Sequence, residues 1–388
     1  MENMKRPWTP GEKWLFAGPL LLGVVVTAIA MGPNVLHDLG GYPTELPATT
    51  GTEIVTMALS SNGRLLVAGE SIHKPAKATT NSIRLWDARS LEPLSPLNRP
   101  VTTKRIPELK RMAFDRATYN VAVSPDAKTL AWSSTHRGPI FTDLGNRQEL
   151  WSLEAESGSP RFSPDGRLVA LETSPNSLQI FASSTGKPIV KWHLGFMPMK
   201  TAYQFSPQGH FFASSGPLPK FGEWRKAPNQ KGGGVEVRRV SDWKIERVLP
   251  LPNPSHIAFS PDERSLVGVG RIFPVPTQGT DGQFCVSSYD VLTGRVKWEI
   301  GPGQPEAHPG ISVILEVCYS PDGVVVAVAG VGSVVLLLSA ETGQVVRSLP
   351  FQVNRGAVSP VLADLAFSPD GKRLFAYNSR AVLVWDLD

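Results

Sequence analysis

The chain has only two cysteines, Cys285 and Cys318, among its 388 residues. That excludes a disulfide framework and leaves at most one bridge. Both lie in apolar stretches, "GQFCVSSYD" and "VILEVCYSPDG", and are read as buried thiols that pack as small hydrophobes. Blocks of basic charge are also missing. The net charge of +5 is spread along the sequence, so no basic arm points to a nucleic-acid partner. The seven histidines occur without the H-E-x-x-H spacing of a metal site, and no metal or cofactor is expected. A nucleophile elbow is missing as well. The run Gly232-Gly233-Gly234 lacks the following Lys-Ser/Thr of a phosphate-binding loop. These absences leave no catalytic residues to name.

Turn-forming residues are plentiful. Glycine and proline number 35 each, about 18% of the chain, against a usual total of roughly 12%. Such an excess favours short strands joined by many turns over long helices. The N-terminus is the exception. Residues 14–31, "WLFAGPLLLGVVVTAIAM", carry no charge, and as a helix rising about 1.5 Å per residue they match a hydrocarbon core. Val35 and Leu36 extend the run. Lys5, Arg6 and Lys13 precede it, and no Lys or Arg follows until Arg64. The positive-inside rule then gives a cytoplasmic tail over 1–13, a transmembrane helix over 14–36, and a body outside the cytoplasm. The alternative is a signal peptide cleaved near Ala30, with Ala28 and Ala30 in the A-x-A arrangement. It would leave a secreted or periplasmic protein.

From residue 53 onward a repeat takes over. Seven stretches alternate apolar residues, turn tightly, and begin a second apolar strand, as in "VAVSPDAKTLAWS", "PRFSPDGRLVALE" and "LAFSPDGKRLFAY". Their first turn residues are Ser60, Ser124, Ser163, Ser206, Ser260, Ser320 and Ser368, spaced on average about 51 apart. That period suits four-stranded propeller blades with insertions. Proline presets the second turn position, and glycine takes the left-handed conformation that closes the hairpin. Ala127 and Glu263 replace that glycine. Each implies either a left-handed non-glycine, at about 1 kcal/mol, or a different turn.

The Ser-Pro-Asp-Gly turns, the Trp86-Asp87 and Trp385-Asp386 dipeptides, and Thr-Gly pairs such as Thr293-Gly294 together resemble a WD-repeat β-propeller of a divergent, bacterial type. The resemblance covers 53–388. It implies an all-β, seven-bladed ring of four-stranded antiparallel blades. Most blades lack Trp-Asp and the preceding Gly-His, so the family's Asp-His-Ser-Trp network is not expected in them. The last blade has three strands in "LAFSPDGKRLFAYNSRAVLVWDLD". Ring closure by an N-terminal outer strand, as that family does it, makes the linker 37–52 the donor, with "YPTELPATTGTE" as the candidate.

Insertions fall between strands b and c or between one blade and the next, which places them on one face of the ring. Insertions gathered on one face of a repeat array mark a binding face. The segment "GPLPKFGEWRKAPNQKGGG" mixes cations with aromatic rings in Lys220, Phe221, Trp224, Arg225 and Lys226, a composition that grips carboxylates, phosphates or sugars. Lys104 and Arg105 add to it from the 101–116 connection. The function expected is a membrane-anchored module that binds a protein or peptide, or scaffolds an assembly. The alternative is a lactonase- or quinoprotein-like enzyme, or a small-ligand binder, using the central channel. Channel-lining positions are mostly Ala, Val, Phe and Tyr. Glu316 and Asp364 are exceptions, with no partner evident along the chain.

Overall fold

A computed structural model of the chain describes residues 41–50, 52–71, 81–99, 120–134, 137–153, 159–174, 177–194, 202–216, 234–272, 283–301, 311–351 and 361–388. The segments read as a cytoplasmic tail and a membrane helix, 1–13 and 14–36, lie outside this set. Among the described residues no helix is long and apolar enough to cross a membrane.

The first strand, β1 (Thr44–Pro47), belongs to the last sheet. Blade 1 is β2 (Glu53–Leu59), β3 (Leu65–Ser71), β4 (Asn81–Asp87) and β5 (Pro93–Arg99). Blade 2 is β6 (Asn120–Val123), β7 (Thr129–Ser134), β8 (Arg137–Asp143) and β9 (Glu149–Ser152). Blade 3 is β10 (Arg161–Phe162), β11 (Leu168–Ser174), β12 (Ser177–Ala182) and β13 (Pro188–His193). Blade 4 is β14 (Tyr203–Phe205), β15 (Phe211–Ser215), β16 (Val235–Arg239) and β17 (Ile245–Leu249). Blade 5 is β18 (His256–Phe259), β19 (Ser265–Ile272), β20 (Gln283–Asp290) and β21 (Val296–Ile300). Blade 6 is β22 (Ile311–Tyr319), β23 (Val325–Gly332), β24 (Val334–Ser339) and β25 (Val345–Pro350). Blade 7 is β26 (Ala363–Phe367), β27 (Arg373–Tyr377) and β28 (Ala381–Asp386), completed by β1.

Each sheet is antiparallel in simple meander order, and the innermost strands β2, β6, β10, β14, β18, β22 and β26 neighbour one another in a closed ring. The architecture is therefore a seven-bladed β-propeller. Its hydrophobic core is divided into seven clusters, one for each seam between adjacent blades. The seam between blades 2 and 3 is aromatic: Phe141 stacks on Trp151 with centroids 3.7 Å apart and meets Phe162 edge-on.

The ring closes through β1. Thr44 pairs with Val384 and Pro47 with Ala381, antiparallel. Pro47 sits at the end of a four-residue outer strand, where its missing N–H leaves no ladder bond unmade. The Pro47 carbonyl accepts from Arg84 Nη1 at 2.8 Å, and the Thr49 N–H donates to Glu70 Oε1 at 2.8 Å. Blade 7 is thereby fastened to blade 1.

Every turn from strand a to b, and every turn from c to d, spans five residues, and a left-handed residue always stands fourth. In the a–b turns the opening serine sets the geometry. Ser320 Oγ donates to Asp322 Oδ1 and accepts the Val325 N–H at 3.0 Å. Ser124, Ser163, Ser260 and Ser368 repeat this pair of bonds. Ala127 and Glu263 keep the same turn, each with φ of 60°. Glu263 offsets its strain by clasping blade 4. Its carboxylate accepts from the Gln208 N–H at 2.8 Å and lies 2.7 Å from His210 Nδ1. In the c–d turns of blades 1, 2 and 5 the aspartate ending strand c plays the organising part: Asp87 Oδ1 accepts from the Arg89 and Ser90 N–H groups at 2.9 Å each, and Asp143 and Asp290 cap their turns in the same way.

Candidate functional site

The two ends of the ring are built differently. The thirteen a–b and c–d turns, each of five residues, all lie at one end. At the other end the connections run from the single residue Ser333 to the twenty residues 100–119. The long b–c segment of blade 4, 216–234, belongs to this variable end. Lys220, Phe221, Trp224, Arg225 and Lys226 lie outside the described residues, as do Lys104 and Arg105. What the structure establishes is where their segments leave and rejoin the ring. Gly216 and Gly234 face each other across the base of the blade 4 segment, the Gly216 N–H donating to the Gly234 carbonyl at 2.7 Å. The strands beneath it are thus held in register up to that point.

The second candidate is the central channel, a space of about 620 Å³ lined by the inner strands of the blades. At the five-residue-turn end its rim includes Pro125, Pro207, Pro261, Pro321 and Pro369, the second residues of the a–b turns. Toward the variable end a polar belt appears. Counting four residues back from each turn serine gives Thr56, Asn120, Ser159, Ala202, His256, Glu316 and Asp364, one per blade. Six of the seven are polar, and they bond in pairs across seams. Thr56 Oγ1 donates to Asp364 Oδ2 at 3.1 Å, across the closure seam. Ser159 Oγ donates to Asn120 Oδ1 at 2.8 Å. His256 Nε2 lies 2.7 Å from Glu316 Oε2.

Glu316 and Asp364 therefore have partners that lie in neighbouring blades, more than fifty residues away in sequence. Asp364 also accepts the Met57 N–H at 3.0 Å. It reaches across by adopting φ of 52° where the register of β26 and β27 shifts. His256 receives the Val317 N–H on Nδ1 at 3.4 Å, a long contact. With Nε2 directed at Glu316, both ring nitrogens are engaged. Among the described residues no group of three or more His, Cys, Asp or Glu side chains could hold a metal ion.

Two residues before the turn serine, five blades carry Ala58, Ala122, Ala258, Cys318 and Ala366. Blades 3 and 4 carry Arg161 and Gln204 instead, and both line the channel. Arg161 has no hydrogen bond or ion pair among the described residues, and Gln204 Oε1 is buried without a partner. Nearby groups are held neutral. Burial pushes the Tyr377 hydroxyl well above its ordinary range, with the charges of Asp364 and Glu316 adding to the shift. Burial and then Glu316 raise the Cys318 thiol in the same way. Both cysteines are free. Cys285 is buried as expected, whereas Cys318 is only partly covered.

Sequence reasoning named Glu316 and Asp364 but missed Arg161, Gln204 and the belt they join. The signal was available: the seven repeats aligned on their turn serines put the polar residues in one column. No protein-family model matches the chain, and no curated protein does.

Proposed function

We propose that this protein is a membrane-tethered propeller that binds a protein or peptide partner on its variable end. One observation carries the reading. Thirteen turns at one end keep a fixed length of five residues, while all length variation is confined to the opposite end. A rigid array that presents variable connections from one side is the usual form of a binding surface. The cationic and aromatic residues of the blade 4 segment, Lys220 to Lys226, would supply anchors, and Lys104 and Arg105 would extend the basic surface. Such a surface favours an acidic partner segment, with Trp224 and the arginines as its energetic centre.

The tether fits the same picture. Strand β1 runs antiparallel to β28 and so begins at the five-residue-turn end. A membrane segment at 14–36 would bring that end toward the bilayer and leave the variable end facing partners. The test compares proteins crosslinked to the full chain with those crosslinked to a variant lacking 217–233, both in membranes. Partners retained by the full chain and by Lys128→Ala, on the opposite end, but lost with the segment support the proposal. An unchanged set of partners rules out the blade 4 surface.

A further inference from the structure

We infer that the central channel binds a small zwitterion, with its carboxylate on Arg161 and its ammonium group on Asp364. This does not depend on the variable end being a docking face. In a ring of seven, blades 6 and 7 are each three places from blade 3, so Glu316 and Asp364 stand across the ring from Arg161, two residues farther from the turn end. The channel therefore carries a cation on one wall and carboxylates on the other.

The groups on these walls differ in what they have left to offer. Arg161 is one of the residues lining the channel, and its side chain has no hydrogen bond or ion pair among the described residues. Its planar fork matches a carboxylate in bidentate fashion. On the far wall, Asp364 spends Oδ2 on Thr56 and Met57, which leaves Oδ1 for a ligand N–H. Glu316 is engaged by His256 and supplies field more than a contact. Asp364 is itself a strained left-handed residue whose side chain serves both the closure seam and the channel. Strain of that kind is concentrated at working sites.

A ligand of one charge fits less well. A simple anion would meet Arg161 but face Asp364 and Glu316, and a simple cation would meet the reverse. Only a ligand with both charges is matched on both walls. A volume of about 620 Å³ accommodates an amino acid with room for water or a longer chain, within the range of small-molecule sites.

Calorimetric titration of the full chain with each of the twenty common L-α-amino acids tests this, with acetate and methylammonium as single-charge probes. At least one amino acid should bind saturably at one site per chain, while acetate and methylammonium do not bind at the same concentration. Arg161→Gln has no partner to lose on folding and should weaken binding tenfold or more. Asp364→Asn keeps an acceptor for Thr56 and Met57 and should weaken it at least threefold. Binding of acetate as tight as that of the amino acid, binding undiminished in both variants, or no binding by any of the twenty would overturn the assignment.

Discussion

The end of the ring with five-residue turns and the end with variable connections share the same strands, yet their sequences obey different rules. At the first end each turn position has its own physical role. A serine hydroxyl both donates and accepts, a carboxylate caps, and the fourth residue must be left-handed. At the second end only the spacing of the strand ends is constrained, as by the Gly216–Gly234 bond. The difference teaches that folding information is concentrated at one end. The other end is free to vary in length and chemistry, which is what recognition requires.

The largest expected effect comes from opening the ring. Removing 41–50 strips β1 from β28 and exposes a long apolar edge. Losing the half-buried Leu46 and the ladder bonds should cost about 3–5 kcal/mol, and the bare edge should promote self-association. Urea denaturation together with sedimentation would show both. An undiminished midpoint would mean that blade 7 stands with three strands.

Next comes a glycine contrast within the five-residue turns. A Cβ on Gly186, at φ of 68°, would lie 2.6 Å from Trp151 Cε3, whereas one on Gly209 would lie 3.8 Å from its nearest neighbour, Pro164 Cδ. Both Gly186→Ala and Gly209→Ala incur about 1 kcal/mol for the left-handed backbone. Only Gly186→Ala adds a clash, for a total of about 2–4 kcal/mol. Equal midpoints in urea for the two variants would remove the role of the Trp151 contact, whose indole Nε1 also donates to the Ser183 carbonyl at 2.7 Å.

The same asymmetry explains what was legible in the sequence. Ser-Pro-Asp-Gly is a local code, readable without tertiary context, and seven copies were enough to give the number of blades. Closure by residues before Glu53 could be anticipated because the seventh repeat supplies three strands where the others supply four. The polar belt was harder to see. His256 and Glu316 are sixty residues apart, and Asp364 and Thr56 are at opposite ends of the chain. Neither pair has a sequence spacing, since the ring alone brings them together. Departures in the turns were legible as departures but not in their outcome. Glu263 stays left-handed because Gln208 and His210 of the preceding blade hold its carboxylate, and no local signal contains that.

Acid should expose the turn chemistry next. Hydrogen bonds from serine hydroxyls hold the carboxyls of Asp126, Asp262, Asp322 and Asp370 below the usual aspartate range. In the unfolded chain these groups return to about 3.9. As pH falls below that value, the unfolded state takes up protons first, so stability declines and the loss continues through the folded values. Thermal midpoints should be level from pH 7 to 5 and fall between pH 4 and 2. Asp322→Asn with Asp370→Asn should make that fall shallower. A midpoint that rises on acidification would contradict the capping role of these aspartates.

The smallest effect on stability should come from the variable end, and its smallness is informative. Replacing 217–233 with a short Asn-Gly turn joins strands already bonded at Gly216 and Gly234. Gly234 must be kept, since a Cβ there would lie 2.4 Å from the Leu249 carbonyl oxygen. Loop-closure entropy changes by only about 0.6 kcal/mol per halving of length, so going from seventeen residues to two, about three halvings, should stabilise the fold by no more than about 2 kcal/mol. A variant that melts at or slightly above the parent temperature while losing its partners would separate recognition from folding. If the variant instead unfolds, the segment packs on the blade as part of its core, and the division between the two ends would have to be redrawn with blade 4 on the structural side.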